Sequence, residues 1–204
     1  MYELLYIFVE KLFPQCQVNL TLLEPLLELR KVDKEEFLFQ EGDICNFVGL
    51  TKKGCFRTFF LKDGKELTVF FHPEHHTLGD YESLRQQKPA CFSCQAIENS
   101  EVLIINAKVI EVLETEPDGQ KLLRLVVENL AFQLRERLLS LYRDSPEQRY
   151  LNFLDSEPKL LQRIPQYYLA SHLGIEPESL SRLKRRVHQK NLLTQVNASD
   201  ESAN

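Results

Sequence analysis

The chain has 204 residues, 43% of them hydrophobic, and a formal net charge of −5 at neutral pH. That length and mixture can bury one good core or two modest ones, which excludes a fibrous or low-complexity chain. The acidic balance, with a pI of about 5.6, argues against a protein that coats nucleic acid indiscriminately, because such binding rests on neutralising phosphates.

Residues 2–13 and roughly 20–30 place apolar side chains at helical spacing, and Pro14 separates them, so two short covering helices are expected. The first segment carries Glu3, Glu10 and Lys11 instead of a basic head and a cleavage site, and no apolar run approaches the roughly 20 residues of a membrane span. Export is not expected. Five cysteines without the even spacing of a disulfide framework read as free thiols, which places the chain in the reducing cytoplasm.

From Val32 to Ile105 short runs rich in Phe, Val, Thr and Ile alternate with Gly-containing breaks. Asp63-Gly64 between 55–61 and 66–71 signals a hairpin, since Gly supplies the positive φ of a primed turn. Several such strands imply an antiparallel barrel or sandwich. His72-Pro73-Glu74-His75-His76 raises the alternative of a cupin-like metal enzyme, but Pro73 and the adjacent turn favour an exposed loop and no metal site. Cys91 and Cys94 have the spacing of a redox or metal pair; in a strand their sulfurs would point to opposite faces, which favours structural thiols. Neither a nucleophilic triad nor a phosphate-cradling Gly-rich loop is present, so no catalytic residue is assigned and catalysis is not expected.

After Pro117 the helical period holds for about 27 residues, and Leu123, Val127, Leu130, Leu134, Leu138 and Leu141 form one narrow stripe. A seam of this kind predicts a homodimer interface, the alternative being a helix laid along its own barrel. Asp144-Ser145-Pro146 then breaks the helix, with Ser145 placed to cap a new one.

The segment 166–187 carries the most specific pattern. Two short helices can cross closely only over a small residue and a tight turn. Ala170 and Gly174 supply these, while Leu169, Leu173, Ile175, Leu180 and Leu183 fill the wedge. The second helix then presents Glu178, Ser179, Arg182, Lys184, Arg185 and Arg186 outward, in a region where six Lys or Arg stand against two acids between Arg163 and Lys190. Arg182 suits guanine and Glu178 the cytosine amino group, whereas Lys184, Arg185, Arg186 and Lys190 suit phosphates. A helical hairpin serving as a non-DNA protein-interaction module is the competing reading.

The order of parts resembles the cyclic-AMP receptor protein/FNR (Crp/Fnr) family. The likeness is carried by Gln40-Glu41-Gly42-Asp43, Lys53-Gly54, Asp63-Gly64-Lys65-Glu66, Leu78-Gly79-Asp80-Tyr81-Glu82-Ser83, Glu116-Pro117-Asp118 and Glu178-Ser179-Leu180-Ser181-Arg182. The resemblance implies an α+β protein with three parts. These are a cyclic-nucleotide-binding-like antiparallel β-barrel (double-stranded β-helix) over 1–115, a dimerisation helix over 116–144, and a winged helix-turn-helix over 145–204. It also implies a ligand-responsive regulator that binds a pseudo-palindromic double-stranded DNA operator as a homodimer and meets RNA polymerase, with Glu178 and Arg182 reading bases. The ligand residues it implies are Gly79, Asp80, Tyr81, Ser83, Ala90, Cys91, Leu134 and Arg135.

Two departures speak against cyclic AMP as the effector. Ala90-Cys91 stands where cyclic-nucleotide binders place an Arg-Ser pair, so a phosphate would lose its charge-assisted partner, and Leu134-Arg135 stands where a Thr-Ser pair meets the base. Cys16 alone precedes Gly42, which speaks against an FNR-type iron–sulfur cluster. The effector is therefore an unidentified small molecule. At the far end, 192–196 leaves room for at most one strand before a polar tail expected to be disordered, so the wing is short or absent.

Overall fold

A computed structural model describes residues 3–187 and 189, and the chain divides after Tyr142 into two compact units. The expectations for Lys190, the strand at 192–196 and the tail lie outside the described residues.

In the first unit, helix α1 (Glu3–Leu12) forms as its periodicity predicts. The helix expected over 20–30 does not. Two short 3-10 turns, Leu20–Leu22 and Glu24–Leu26, give way to strand β1 (Glu28–Val32). Pro25 lacks the N–H that would continue a helix, Leu27 is extended at φ −91° and ψ 141°, and β1 pairs with the last strand along its whole length. Leu20, Leu23 and Leu27 are buried while Leu22 is 64% exposed, the same sides a helix would give, so burial spacing alone could not tell the turns from a helix.

Seven further strands follow: β2 (Phe37–Phe39), β3 (Phe47–Lys53), β4 (Phe56–Lys62), β5 (Lys65–His72), β6 (Thr77–Gly79), β7 (Ser93–Ala96) and β8 (Ser100–Asn106). They form two antiparallel four-stranded sheets, ordered β1-β8-β3-β6 and β2-β7-β4-β5. Between β4 and β5, Asp63 and Gly64 take φ of 53° and 75°, both positive as a type I′ turn requires. Period-two alternation divides β8 between two cores. Val102 and Ile104 meet Phe56, Cys94 and Ala96 inside the sandwich, while Leu103 joins Leu50, Leu5, Val9 and Val109 beneath the helices.

Helix α2 (Tyr81–Gln86) follows β6, and helix α3 (Ala107–Glu114) follows β8 and hands over to helix α4 (Pro117–Arg143). At the handover a Cβ on Gly119 would collide with the Leu113 carbonyl, so a side chain cannot be accommodated there. Only Gly119 and Leu122 of α4 are buried, and every residue from 127 to 136 is exposed.

In the second unit, Ser145 caps helix α5 (Pro146–Ser156), its Oγ accepting the Gln148 N–H at 3.2 Å, with Pro146 opening the helix. A 3-10 turn (Leu160–Gln162) leads to helix α6 (Gln166–Leu173), and a last helix, α7, spans 177–187. Gly174 ends α6 in the left-handed region at φ 70°. The Ile175 N–H donates to the Ala170 carbonyl at 3.0 Å, closing the turn. Leu169, Ala170, Leu173, Leu180 and Leu183 are all buried, so the two helices nest as the small-residue spacing predicts.

Candidate nucleic-acid interface and sensor site

Helix α7 buries Leu180, Leu183 and Val187, which at about 3.6 residues per turn fall on one side. Glu178, Arg182, Arg185 and Arg186 fall on the other, and all four are exposed. The remaining two expected contacts sit on the flanks. Ser179 is half-buried and its Oγ accepts from Arg182 Nη2 at 3.0 Å, which draws that guanidinium along the helix surface. Lys184 is also half-buried, next to the wedge, and burial lowers its pKa. It is therefore less available to a phosphate than the outward-facing expectation implied. Arg186 Nη2 lies 3.2 Å from Glu147 Oε2 in the first turn of α5.

Sequence reasoning missed the groups that hold this unit in shape. Arg149 donates from Nε and Nη2 to the Leu173 carbonyl at 3.0 and 2.7 Å, and from Nη1 to the Asp144 carbonyl at 2.6 Å. A cation on the last carbonyls of α6 satisfies acceptors that the helix cannot pair internally, and it favours the negative end of the helix dipole. Nothing in local spacing links positions 149 and 173; only the basic type and a nearby helix end were legible.

The expected sensor residues are largely occupied by the fold. Asp80 is 6% exposed and caps α2, its Oδ1 accepting the Ser83 N–H at 2.9 Å. Ser83 is 1% exposed; its Oγ accepts the Cys45 N–H at 2.9 Å and donates to the Lys88 carbonyl at 2.5 Å. Ala90 is buried, with its N–H donated to the Asp43 carbonyl at 2.8 Å and its carbonyl accepting the Gly42 N–H at 2.9 Å. Gly79 pairs with Val48 in the sheet, and Tyr81 is half-buried. Leu134 and Arg135 lie on the exposed stretch of α4, where Arg135 pairs with Glu136 at 2.5 Å. At the same turn the Cys91 thiol has a raised pKa, through partial burial first and then the carboxylates of Asp80, Glu82 and Glu41. The local field there is negative.

Two expectations about this unit are corrected. Cys91 lies in a bend before β7, not in a strand; it is exposed while Cys94 is fully buried, so the thiols are separated by environment instead of by strand alternation. The histidine segment is not an exposed loop. His72 ends β5 with its Nδ1–H donating to the Thr77 carbonyl at 2.9 Å and Nε2 facing Thr58 Oγ1 at 3.2 Å, Pro73 is buried, and only His75 is exposed. Burial, then the neighbouring His76, lowers the His72 pKa to about 4, so the ring is neutral at neutral pH. Among the described residues no group of three His, Cys, Asp or Glu is placed to hold a metal ion, and no helix is long and apolar enough to cross a membrane.

The sandwich also buries a cation that its sequence did not flag. Arg57 is 1% exposed and stacks 3.9 Å over the Phe59 ring. Its Nη2 donates to Gln95 Oε1 at 2.7 Å and to Glu66 Oε2 at 2.5 Å. Apart from the expected sensor turn, a half-open cleft of about 1000 Å³ lies between the α1–β1 connection and the start of α4, bordered by Phe13, Leu23, Asp118 and Lys121.

Residues 29–116 match the family model of the cyclic nucleotide-binding domain. The chain is 31% identical to the Anaerobic regulatory protein of Bacillus subtilis over 91 residues, covering 44% of this chain and 38% of the relative, so it spans well under half of that protein's length. It is 25% identical to the Transcriptional activator protein Anr of Pseudomonas protegens over 202 residues, covering 89% of this chain and 82% of Anr. Among solved structures, a protein of Eubacterium rectale assigned to the crp/fnr family of transcriptional regulators has the same fold, with a TM-score of 0.66 at 18% identity over 83% of this chain and 82% of that one. The sandwich fills the segment that matches the cyclic nucleotide-binding domain, and with a long helix leading to the nested pair α6 and α7 the chain is similar over most of its length to the transcriptional activator Anr.

Proposed function

We propose that the chain acts in the cytoplasm as a homodimeric, sequence-specific DNA-binding regulator whose N-terminal unit responds to a small molecule other than cyclic AMP. The observation that carries the DNA reading is the exposed face of α7, where Glu178, Arg182, Arg185 and Arg186 stand opposite the buried Leu180, Leu183 and Val187. Arg182 reads guanine and Glu178 cytosine, while Arg185 and Lys190 meet phosphates, with lesser contributions from the half-buried Ser179 and Lys184; Arg186, though exposed on the same helix, is paired with Glu147.

The dimer reading is supported by the stripe on α4. Leu130, Leu134, Leu138 and Leu141 are between 38% and 55% exposed, alongside Val127 and the half-buried Leu123, so the described residues leave the stripe uncovered. A symmetric pair joined there sets two recognition helices about 34 Å apart on a pseudo-palindrome. Residues 1–115 then sense, 116–144 dimerise and 145–204 bind DNA, and an effector that prefers one arrangement of the pair shifts operator affinity. RNA polymerase is the expected protein partner. The negative field at Cys91 and the missing cation at Ala90 argue against a nucleotide phosphate at that turn.

Selection of host-genome fragments on the purified chain tests the reading. A shared pseudo-palindromic sequence is expected, bound with an affinity that falls steeply as salt rises. Fragments without any common sequence overturn it. In the same preparation, Leu138→Glu is expected to convert a sedimenting dimer to monomer, and native-like dimerisation of that variant removes the stripe from the interface.

A further inference from the structure

We infer that Glu147 is a built-in counter-ion that withholds Arg186 from DNA phosphates and so holds down binding to unrelated sequence. This rests on the DNA-binding reading above and adds a determinant of its specificity. The carboxylate is the fixed partner of the pair. Glu147 sits in the first turn of α5, where unpaired backbone N–H groups and the helix dipole favour a negative charge. Its helix is held at that end by the Ser145 cap and by the Arg149 bonds to Asp144 and Leu173. Its side chain is 27% exposed, against 59% for Arg186.

Arg186 lies four residues beyond Arg182, so the two guanidinium groups are neighbours on one face of α7. A phosphate approaching that face must compete with Glu147 for Arg186, and it also meets the carboxylate's own repulsion. Arg182 meets no carboxylate among the described residues; it donates to the neutral Ser179 hydroxyl instead. Sequence-independent affinity grows with each phosphate neutralised, whereas base reading does not depend on Arg186. Withholding one cation therefore lowers background binding and leaves discrimination intact.

The test uses the full chain and a fluorescein-labelled duplex of arbitrary sequence, with binding followed by anisotropy between about 50 and 200 mM salt. Glu147→Gln is expected to bind several-fold tighter at the low end, with a log–log salt slope steeper by about 0.9, the value for one added phosphate contact. Arg186→Gln alone is expected to keep the native slope, and Glu147→Gln placed in that background is expected to add nothing. An unchanged slope in Glu147→Gln overturns the inference. So does an equal steepening without Arg186, which would mark a general charge effect, or a flattened slope in Arg186→Gln, which would mean the native chain already uses that cation. The last comparison decides the matter even if Glu147→Gln folds poorly. If the native chain binds no duplex at any salt, the DNA reading itself fails; native binding with unmoved slopes removes only the role of Glu147.

Discussion

The two units use their polar side chains in opposite ways. In the N-terminal sandwich, Asp80, Ser83, Arg57 and His72 are turned inward and bonded to the fold, so the turn expected to greet a ligand is already satisfied by its own backbone. In the C-terminal unit, Arg149 and Ser145 anchor the fold, while Glu178, Arg182 and Arg185 of α7 are left facing solvent. A buried polar group without a partner is costly, so a group that is both buried and bonded reads as structure. An exposed cluster of cations on a rigid helix reads as a contact surface, since the fold has no need of it.

That contrast predicts where substitutions will register. The largest effect on stability should come from Ser83→Ala, which strips the hydroxyl from both the Cys45 N–H and the Lys88 carbonyl. A loss of about 3 kcal/mol in urea unfolding is expected, and a loss below about 1 kcal/mol would mean that water replaces the hydroxyl and the turn is open after all. His72 comes next. Its folded pKa of about 4 lies below the ordinary value of 6.5, so the unfolded chain takes up the proton first. Stability is full above about pH 6.5 and falls by about 3 kcal/mol as the pH drops to 4. His72→Gln should flatten that window of the pH–stability curve, and an unaltered curve would assign the acid sensitivity elsewhere.

Arg182→Ala should have the smallest effect on stability, within about 0.5 kcal/mol. Its effect belongs to DNA instead: a loss of roughly 1–3 kcal/mol in operator affinity and a relaxed preference at one base pair, measured by competition between operator variants. A uniform loss on every sequence would demote Arg182 to a phosphate contact. A destabilised fold would erase the contrast between the units.

Local rules made much of this legible. The Asp63-Gly64 turn, the Ser145-Pro146 helix start and the Ala170–Gly174 crossing each depend on a few adjacent residues, and each forms as their stereochemistry requires. The stripe on α4 was readable for the same reason, because helical period alone decides which side chains share a face. Where two periods competed, sequence misled. Leu22, Leu23, Leu26 and Leu27 fit a helix, yet hydrogen bonding of β1 to β8 across more than seventy residues prevails.

What the sequence by itself determined, then, was the succession of a β-rich domain, a long helix and a helix-turn-helix, since periodicity and turn stereochemistry act over a few residues. Tertiary structure alone decided which polar groups are occupied: that Asp80 and Ser83 serve the turn, that Arg57 is buried against Phe59, that Lys184 flanks the wedge, and that Arg186 meets Glu147. Burial and partnership are set by residues far apart in the chain, and no local pattern encodes them.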